Sequence, residues 1–443
     1  MRALQHIVLL LLVRVVTLVH SAGITPNHVP DPLAFEPTLV NVDDPAQKFL
    51  HMGAMPPAEQ QSSPRHRQEK AHLMKRMDRK HGKWGPTHPR YRLLEALFGF
   101  SKYRERNLAE LNRWRSLYKN VSKKQKQTLE KVVGYAKKLN DIEELIYRNE
   151  ALCKSIVAHA MDFYGIEQSE LDDHTKEAEK TNRQADKISV SQTLKHFVRD
   201  WADEGMKERE DAFPCVLSML KGLGLDSAGN GRPVKVLLPG SGLGRLGHEV
   251  AELGYEVTVN EWSMYMNVAY RYLEAHTDPH SISMYPFIDG MSHHASTSDM
   301  MREVTSPNVR PNPSVLLVEG DFVSAFSGKD VEFDIIITHF FIDTARNLMF
   351  YFDTIQRLLK PGGHWINFGP LLYGSGPFVQ LSLDEIVMVV EDMGFQFEDI
   401  DDSCGDLTFS EKKVRGKEAE YGFNGKALTK NAYEAQAWMA RKI

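Results

Sequence analysis

Residues 238–247 read Leu-Pro-Gly-Ser-Gly-Leu-Gly-Arg-Leu-Gly, with glycines at 240, 242, 244 and 247. Glycine is required where a backbone turns tightly and approaches a ligand with no Cβ in between. An apolar run, 234–238, precedes the turn and an apolar-periodic segment follows it, the context of a strand feeding a helix. About 20 residues further on, the run 255–261 ends in Glu261, where a carboxylate accepts from both hydroxyls of a ribose. The chemistry this predicts is the binding of a nucleoside-bearing cofactor over Gly240 and its neighbours.

Two cofactor classes use such a turn. A dinucleotide enzyme sets its pyrophosphate over the helix N-terminus; a methyltransferase sets the methionine part of S-adenosyl-L-methionine there. The second carboxylate separates them. Gly320-Asp321-Phe322 closes a third apolar run, 314–319, where Asp321 can accept from an adenine amino group and Phe322 can pack on the ring. The turn Leu359-Lys360-Pro361-Gly362-Gly363 also fits a class I methyltransferase. The reading is therefore an S-adenosylmethionine-dependent methyltransferase, with a dinucleotide oxidoreductase and a sheet that has lost its ligand as the alternatives.

The elements that position these residues follow from periodicity. Strand signals at 234–238, 255–261, 314–319, 333–340 and 364–368 alternate with helical ones, with further strand candidates at 395–400 and 435–440. That pattern predicts an α/β, Rossmann-like open parallel sheet whose ligands sit beyond the carboxyl ends of its strands. Residues 91–164 carry apolar positions at spacings of three and four (Leu94, Leu97, Phe98; Leu129, Val132, Val133; Leu152, Ile156, Ala160), the pattern of an N-terminal helical domain. The polar stretch 167–186 reads as a surface loop. Four segments result: 1–22, a signal peptide or anchor by shape; 23–90, a disordered linker, basic over 65–92; 91–185, a helical cap; and 186–443, the S-adenosylmethionine-binding domain.

The chain has 443 residues, 42% apolar, with a formal net charge of −5. That balance argues against nucleic-acid binding by the whole chain and suits a small neutral or zwitterionic substrate. No second long apolar run exists, so the body is not membrane-embedded. Cys153, Cys215 and Cys404 make no disulfide framework and no metal pair, and read as buried thiols. His280, His293 and His294 lack metal-ligand spacing, so no metal is expected.

Longer motifs carry a resemblance: Leu194-Lys195-His196-Phe197-Val198-Arg199-Asp200-Trp201, residues 239–246, Asn260-Glu261-Trp262-Ser263, Gly320-Asp321-Phe322, residues 340–347, and Trp365-Ile366-Asn367-Phe368-Gly369-Pro370-Leu371-Leu372-Tyr373. Together they resemble the carnosine N-methyltransferase family over 91–443, least over the insert 283–312. The resemblance implies methyl transfer to the imidazole of β-alanyl-L-histidine, giving anserine. It places cofactor contacts on His196 (where the family more often has Gln), Arg199, Gly240, Glu261, Asp321, Phe322 and His339 (where the family can have Cys). Substrate contacts fall on Asp343, Tyr421 and Tyr433. After Tyr373 the family can place a substrate-binding His; Gly374 stands here, which opens the acceptor to related histidine-containing dipeptides. The resemblance also implies cytoplasm or nucleus and leaves a homodimer open, whereas the apolar N-terminus suits the secretory route.

The chemistry asks little more of the residues. A neutral imidazole nitrogen, abundant at pH 7 because the ring titrates near ~6.5, attacks a sulfonium methyl in line. An Asp accepting from the other ring N–H fixes the tautomer and stabilises the cation that develops; Asp343 is the candidate, its alternative being the N-cap of a helix over 345–358. Arg199 could meet the cofactor carboxylate or pair with Asp200 or Glu204. Tyr421 and Tyr433, taken alone, are packing residues. A protein-histidine methyltransferase and a non-catalytic cofactor-binding scaffold are the remaining functional alternatives.

Overall fold

Valine, leucine and isoleucine dominate both faces of β1 (Lys235–Pro239) and β6 (Phe333–His339), which is the composition of strands covered on two sides. A computed structural model of the chain describes residues 63–225, 232–328, 332–374, 376–409 and 411–443. The other strands are β2 (Glu256–Glu261), β3 (Ile282–Met284), β4 (Val304–Ser306), β5 (Leu316–Glu319), β7 (Leu359–Gly369), β8 (Phe395–Glu398), β9 (Asp406–Phe409), β10 (Lys412–Glu420) and β11 (Ala432–Lys442). Nine of them form one sheet in the order β5-β2-β1-β6-β7-β11-β10-β9, with β8 also on β11, while β3 and β4 make a separate hairpin.

The sheet is parallel only from β5 to β7. The strands β11, β10 and β9 each run antiparallel to their neighbour, which corrects the expectation of a wholly parallel sheet. The links 410–411 and 421–431 that join β9, β10 and β11 are shorter than a parallel crossover, which leaves antiparallel returns. Charged residues along 412–420 hid the strand β10 from the sequence reading. In the parallel half, Pro239 lies opposite Asn260 and Glu261 opposite Glu319, so β1, β2 and β5 end side by side. The strand β7 begins earlier than its sequence signal: Leu359 pairs with Phe333 and the Pro-Gly-Gly turn bulges before His364 meets Ile335.

Helices cover the sheet. Ser122 and Gln125 form a capping box for Lys123–Val133, and Gly134, at φ 58°, separates that helix from Tyr135–Tyr164. The Tyr164 hydroxyl donates to both Glu319 oxygens at 2.9 Å, tying the helical layer to the end of β5. Leu94, Leu97 and Ile156 share one apolar cluster with Val236 and Val259, so helices and sheet bury a common core.

Two segments expected to be irregular are helices. Pro64–Met77 lies inside the expected linker; Leu73 and Met77 are buried, and Arg65 and Arg76 donate to the sheet carbonyls of Val257 and Glu319. These cations cap strand ends and are not a free tether. Gln168–Lys180 replaces the expected loop, burying Leu171, His174 and Ala178 on one stripe that its polar neighbours obscured. The signal-like segment and most of the linker lie outside the described residues. Among the described residues no helix is long and apolar enough to cross a membrane.

The cysteine reading is also corrected. Cys215, on the helix Met206–Gly222, is disulfide-bonded to Cys404, 189 residues away. The antiparallel return through β9 and β10 brings the two together, which no local spacing announces.

Candidate functional site

The chain leaves β1 through three glycines in the left-handed region, Gly240 (φ 65°), Gly242 (φ 58°) and Gly244 (φ 78°). A Cβ on Gly240 would overlap the Phe341 ring, and one on Gly244 would stand 2.7 Å from Tyr270 Cε2. The helix Arg245–Glu252 follows. At the end of β2, Glu261 accepts the Gly242 N–H at 2.9 Å and the Ser263 N–H at 2.7 Å. Burial raises its pKa, the three surrounding N–H groups and Arg92 opposing that. A buried carboxylate held against the glycine turn in this way fits ribose hydroxyls.

Asp321, after β5, caps the short helix Phe322–Ala325 by accepting from the Ser324 N–H at 2.9 Å. Arg92 and Tyr351 each feel both Asp321 and Glu261, which places the two carboxylates about one region. Arg92 also lies over the Trp262 ring at 3.8 Å, bringing the helical layer to the rim of the site. Phe322 departs from expectation. Its ring is 2% exposed and meets Phe326, Phe341 and Tyr351 edge-on, so it packs in the core instead of presenting a face to a purine.

Opposite the glycines, the helix Lys187–His196 widens into a π-turn, Phe197–Trp201, a form often found at functional sites. Arg199 donates through Nε to Asp200 at 2.8 Å and through Nη2 to His196 Nδ1 at 2.9 Å. Because guanidinium only donates, His196 must accept at Nδ1 and is neutral there; burial and Arg199 lower its pKa. Burial opposes the charge on Asp200, but the Arg199 guanidinium more than offsets this and holds the carboxyl well below its usual range. Its second oxygen accepts the Leu243 N–H at 3.1 Å, clamping the glycine turn. Of the two sequence readings of Arg199, the pair with Asp200 is realised, yet Nη1 remains buried and without a partner.

A cavity of about 240 Å³ separates these walls, lined among others by His196, Arg199, Gly240, Glu261, His339 and Tyr421. His339, the last residue of β6, has a buried Nε2 with no partner, and burial and Arg199 hold its pKa at about 3. The next residue, Phe340, adopts φ 50°, rare for a bulky side chain. That conformation stacks its ring on Tyr421 at 4.8 Å and sets it edge-on to Tyr433 at 6.1 Å. Asp343 follows on a 3-10 turn, 7% exposed, accepting the Leu372 N–H at 2.9 Å. Burial pushes its carboxyl up to about 6. It is not a helix cap, since Asn347 caps Leu348–Leu358. Tyr433 feels the Asp343 charge. At Gly374 a Cβ would meet nothing within 4 Å, so the missing side chain leaves open space.

The expected residues thus fall into three groups. His196, Arg199, Gly240, Glu261, His339 and Tyr421 share the cavity wall. Tyr433 touches the wall through Phe340 and feels the charge of Asp343, and Asp321 follows β5, whose end lies opposite Glu261. Phe322 and Gly374 do not line the cavity. Sequence reading missed Glu208 on the wall and Arg92 at the rim, and gave no role to Ser241 and Phe340, which lie on the wall within motifs it quoted.

A family model described as carnosine N-methyltransferase matches residues 176–443. A carnosine N-methyltransferase of Mus musculus is 35% identical over 272 residues, covering 59% of this chain and 67% of that protein. One from Schizosaccharomyces pombe is 30% identical over 289 residues, covering 59% and 75%. One from Dictyostelium discoideum is 32% identical over 261 residues, covering 56% and 53%.

Proposed function

The chain belongs to the carnosine N-methyltransferase family, and we propose that it methylates an imidazole nitrogen of β-alanyl-L-histidine, giving anserine, or of a related histidine-containing dipeptide. As a member of that family it is an S-adenosylmethionine-dependent enzyme. The residues present fit that cofactor: a glycine turn on the cavity wall, two carboxylates at adjacent strand ends, and an orphaned Arg199 Nη1 for a carboxylate. When bound, S-adenosylmethionine supplies an electrophilic methyl group.

The observation that carries the acceptor assignment is the buried Asp343 carboxyl, whose charge Tyr433 feels, with Tyr433 edge-on to Phe340 of the cavity wall. Asp343 accepts from the ring N–H of a neutral imidazole, leaving the lone pair of the other nitrogen aimed into the cavity. The cation formed on transfer is stabilised by the same carboxylate, whose effect grows as positive charge develops on the ring. Tyr421 and Tyr433, held by Phe340, bracket the ring and exclude water. Glu261 and Asp321 take the ribose and adenine, and Arg199 the methionine carboxylate. His339 stays neutral and adds no positive charge beside the reacting centre. With Gly374 at the position where the family can place a substrate-binding His, related histidine-containing dipeptides belong to the proposed acceptor range.

The test is incubation of the purified full chain with S-adenosylmethionine and β-alanyl-L-histidine, with mass spectrometry for a monomethylated dipeptide and NMR to locate the methyl group. Methyl on a ring nitrogen is expected. Label on histidines of long peptides with none on the dipeptide would overturn the reading.

A further inference from the structure

Glu208 stands on the helix Met206–Gly222, and its carboxylate faces the same cavity as the glycine turn, Arg199 and Tyr421. Its Oε1 accepts the backbone N–H groups of Gly422 and Phe423, at 3.2 and 2.5 Å, and so fixes the turn that carries Tyr421. Its Oε2 is buried and has no partner. A buried carboxylate oxygen left unpaired costs free energy comparable to a missing hydrogen bond, more so when charged. Holding a backbone turn needs an acceptor but no charge, so the second oxygen is unexplained by the fold.

The neighbourhood suggests what that oxygen meets. Arg199 feels the charge of Glu208 and has its own buried unpartnered nitrogen, Nη1. One cavity therefore holds an orphaned donor on a cation and an orphaned acceptor on an anion, a pair complementary to a zwitterion. Both molecules of the proposed reaction carry a primary ammonium: the methionine end of the cofactor, and the β-alanyl end of the dipeptide.

We infer that Glu208 is a ligand-binding residue whose free carboxylate oxygen receives a primary ammonium group, while its other oxygen positions Tyr421. The inference rests on the function proposed above. The Phe423 turn and Arg199 ring contacts hold the carboxylate in place (the Arg199 guanidinium lies 5.1 Å from the Phe423 ring). Burial raises the pKa of Glu208, with Arg199 and the two N–H groups opposing it, and a bound ammonium favours the ionised form further.

The experiment uses the full chain and Glu208→Gln, whose amide oxygen still accepts both backbone N–H groups. Calorimetry measures affinity for S-adenosylhomocysteine and, on the loaded protein, for β-alanyl-L-histidine. The same titrations are run with the deaminated analogue of each, the second being propionyl-L-histidine. Wild type is expected to bind at least one amine-bearing ligand on the order of tenfold more tightly than its amine-free analogue, as for a charge-assisted hydrogen bond, and Glu208→Gln to lose that preference. Loss in the cofactor series assigns the methionine ammonium; loss in the dipeptide series assigns the β-alanyl ammonium. If Glu208→Gln does not fold, Glu208→Asp, which keeps the charge at a shorter reach, is expected to retain part of the preference. Wild type that binds amine-bearing and amine-free ligands equally in both series, or a Gln variant that keeps the full preference, overturns the inference. Wild type that binds the cofactor product but no histidine dipeptide would count against the proposed acceptor, and the cofactor series would still decide on Glu208.

Discussion

Phe340 stacks on Tyr421 with ring centroids 4.8 Å apart and planes 19° apart, and does so from a backbone at φ 50°. A bulky residue pays for that conformation, and glycine does not. Phe340→Gly is therefore expected to unfold in urea at roughly 1 kcal/mol higher stability than Phe340→Ala, since both lose the ring but only alanine keeps the strain. Both variants should raise KM for the dipeptide and leave cofactor affinity within a few-fold. Equal stability of the two would mean that the backbone is not strained here.

The acceptor role proposed for Asp343 comes at some cost in stability. Its folded pKa is raised to about 6 from about 3.9 when unfolded, chiefly by burial. Its contribution to stability is therefore fully present below about pH 4 and is lost as pH rises through about 6. Asp343→Asn should be at least as stable as wild type at pH 8 while losing on the order of 100-fold in kcat, with cofactor affinity nearly unchanged. A parallel loss of cofactor binding in calorimetry would move Asp343 to the cofactor.

Glu261 is held by two backbone N–H groups, so Glu261→Gln turns an amide nitrogen toward at least one donor. Cofactor affinity is expected to fall on the order of tenfold or more. An unchanged dissociation constant would remove the ribose assignment.

His339 is kept neutral, its pKa lowered to about 3 by burial and Arg199. The sign is that of a depressed histidine: its contribution to stability is present above the unfolded value near ~6.5 and is progressively lost as pH falls toward the folded value. His339→Cys should show a flatter fall in stability between pH 6 and 4 than wild type, measured by urea unfolding, and should retain activity. A wild-type curve with the same slope as the variant would contradict a buried neutral ring.

Much of the parallel half was legible because apolar strands and glycines obey local rules: β1, the turn at Gly240 and Glu261 lie where periodicity puts them. The resemblance supplied Tyr433, which bare sequence reads as a packing residue, and supported Asp343 against its alternative as a helix cap. What escaped was non-local or masked by charge. The Cys215–Cys404 bond needs the antiparallel return, β10 hides its alternation under lysines and glutamates, and the helix Pro64–Met77 uses its arginines on strand carbonyls. Glu208 belongs to no motif; only the fold brings its carboxylate to the cavity wall.

The account turns on a cofactor pinned by Glu261 that faces an imidazole held by Asp343. A structure of the full chain with S-adenosylhomocysteine and β-alanyl-L-histidine tests this most directly. The ribose hydroxyls are predicted to lie within hydrogen-bond distance of Glu261, and one imidazole N–H on Asp343 with the other nitrogen toward the cofactor sulfur. A dipeptide ring away from Asp343, or a ribose away from Glu261, would contradict it.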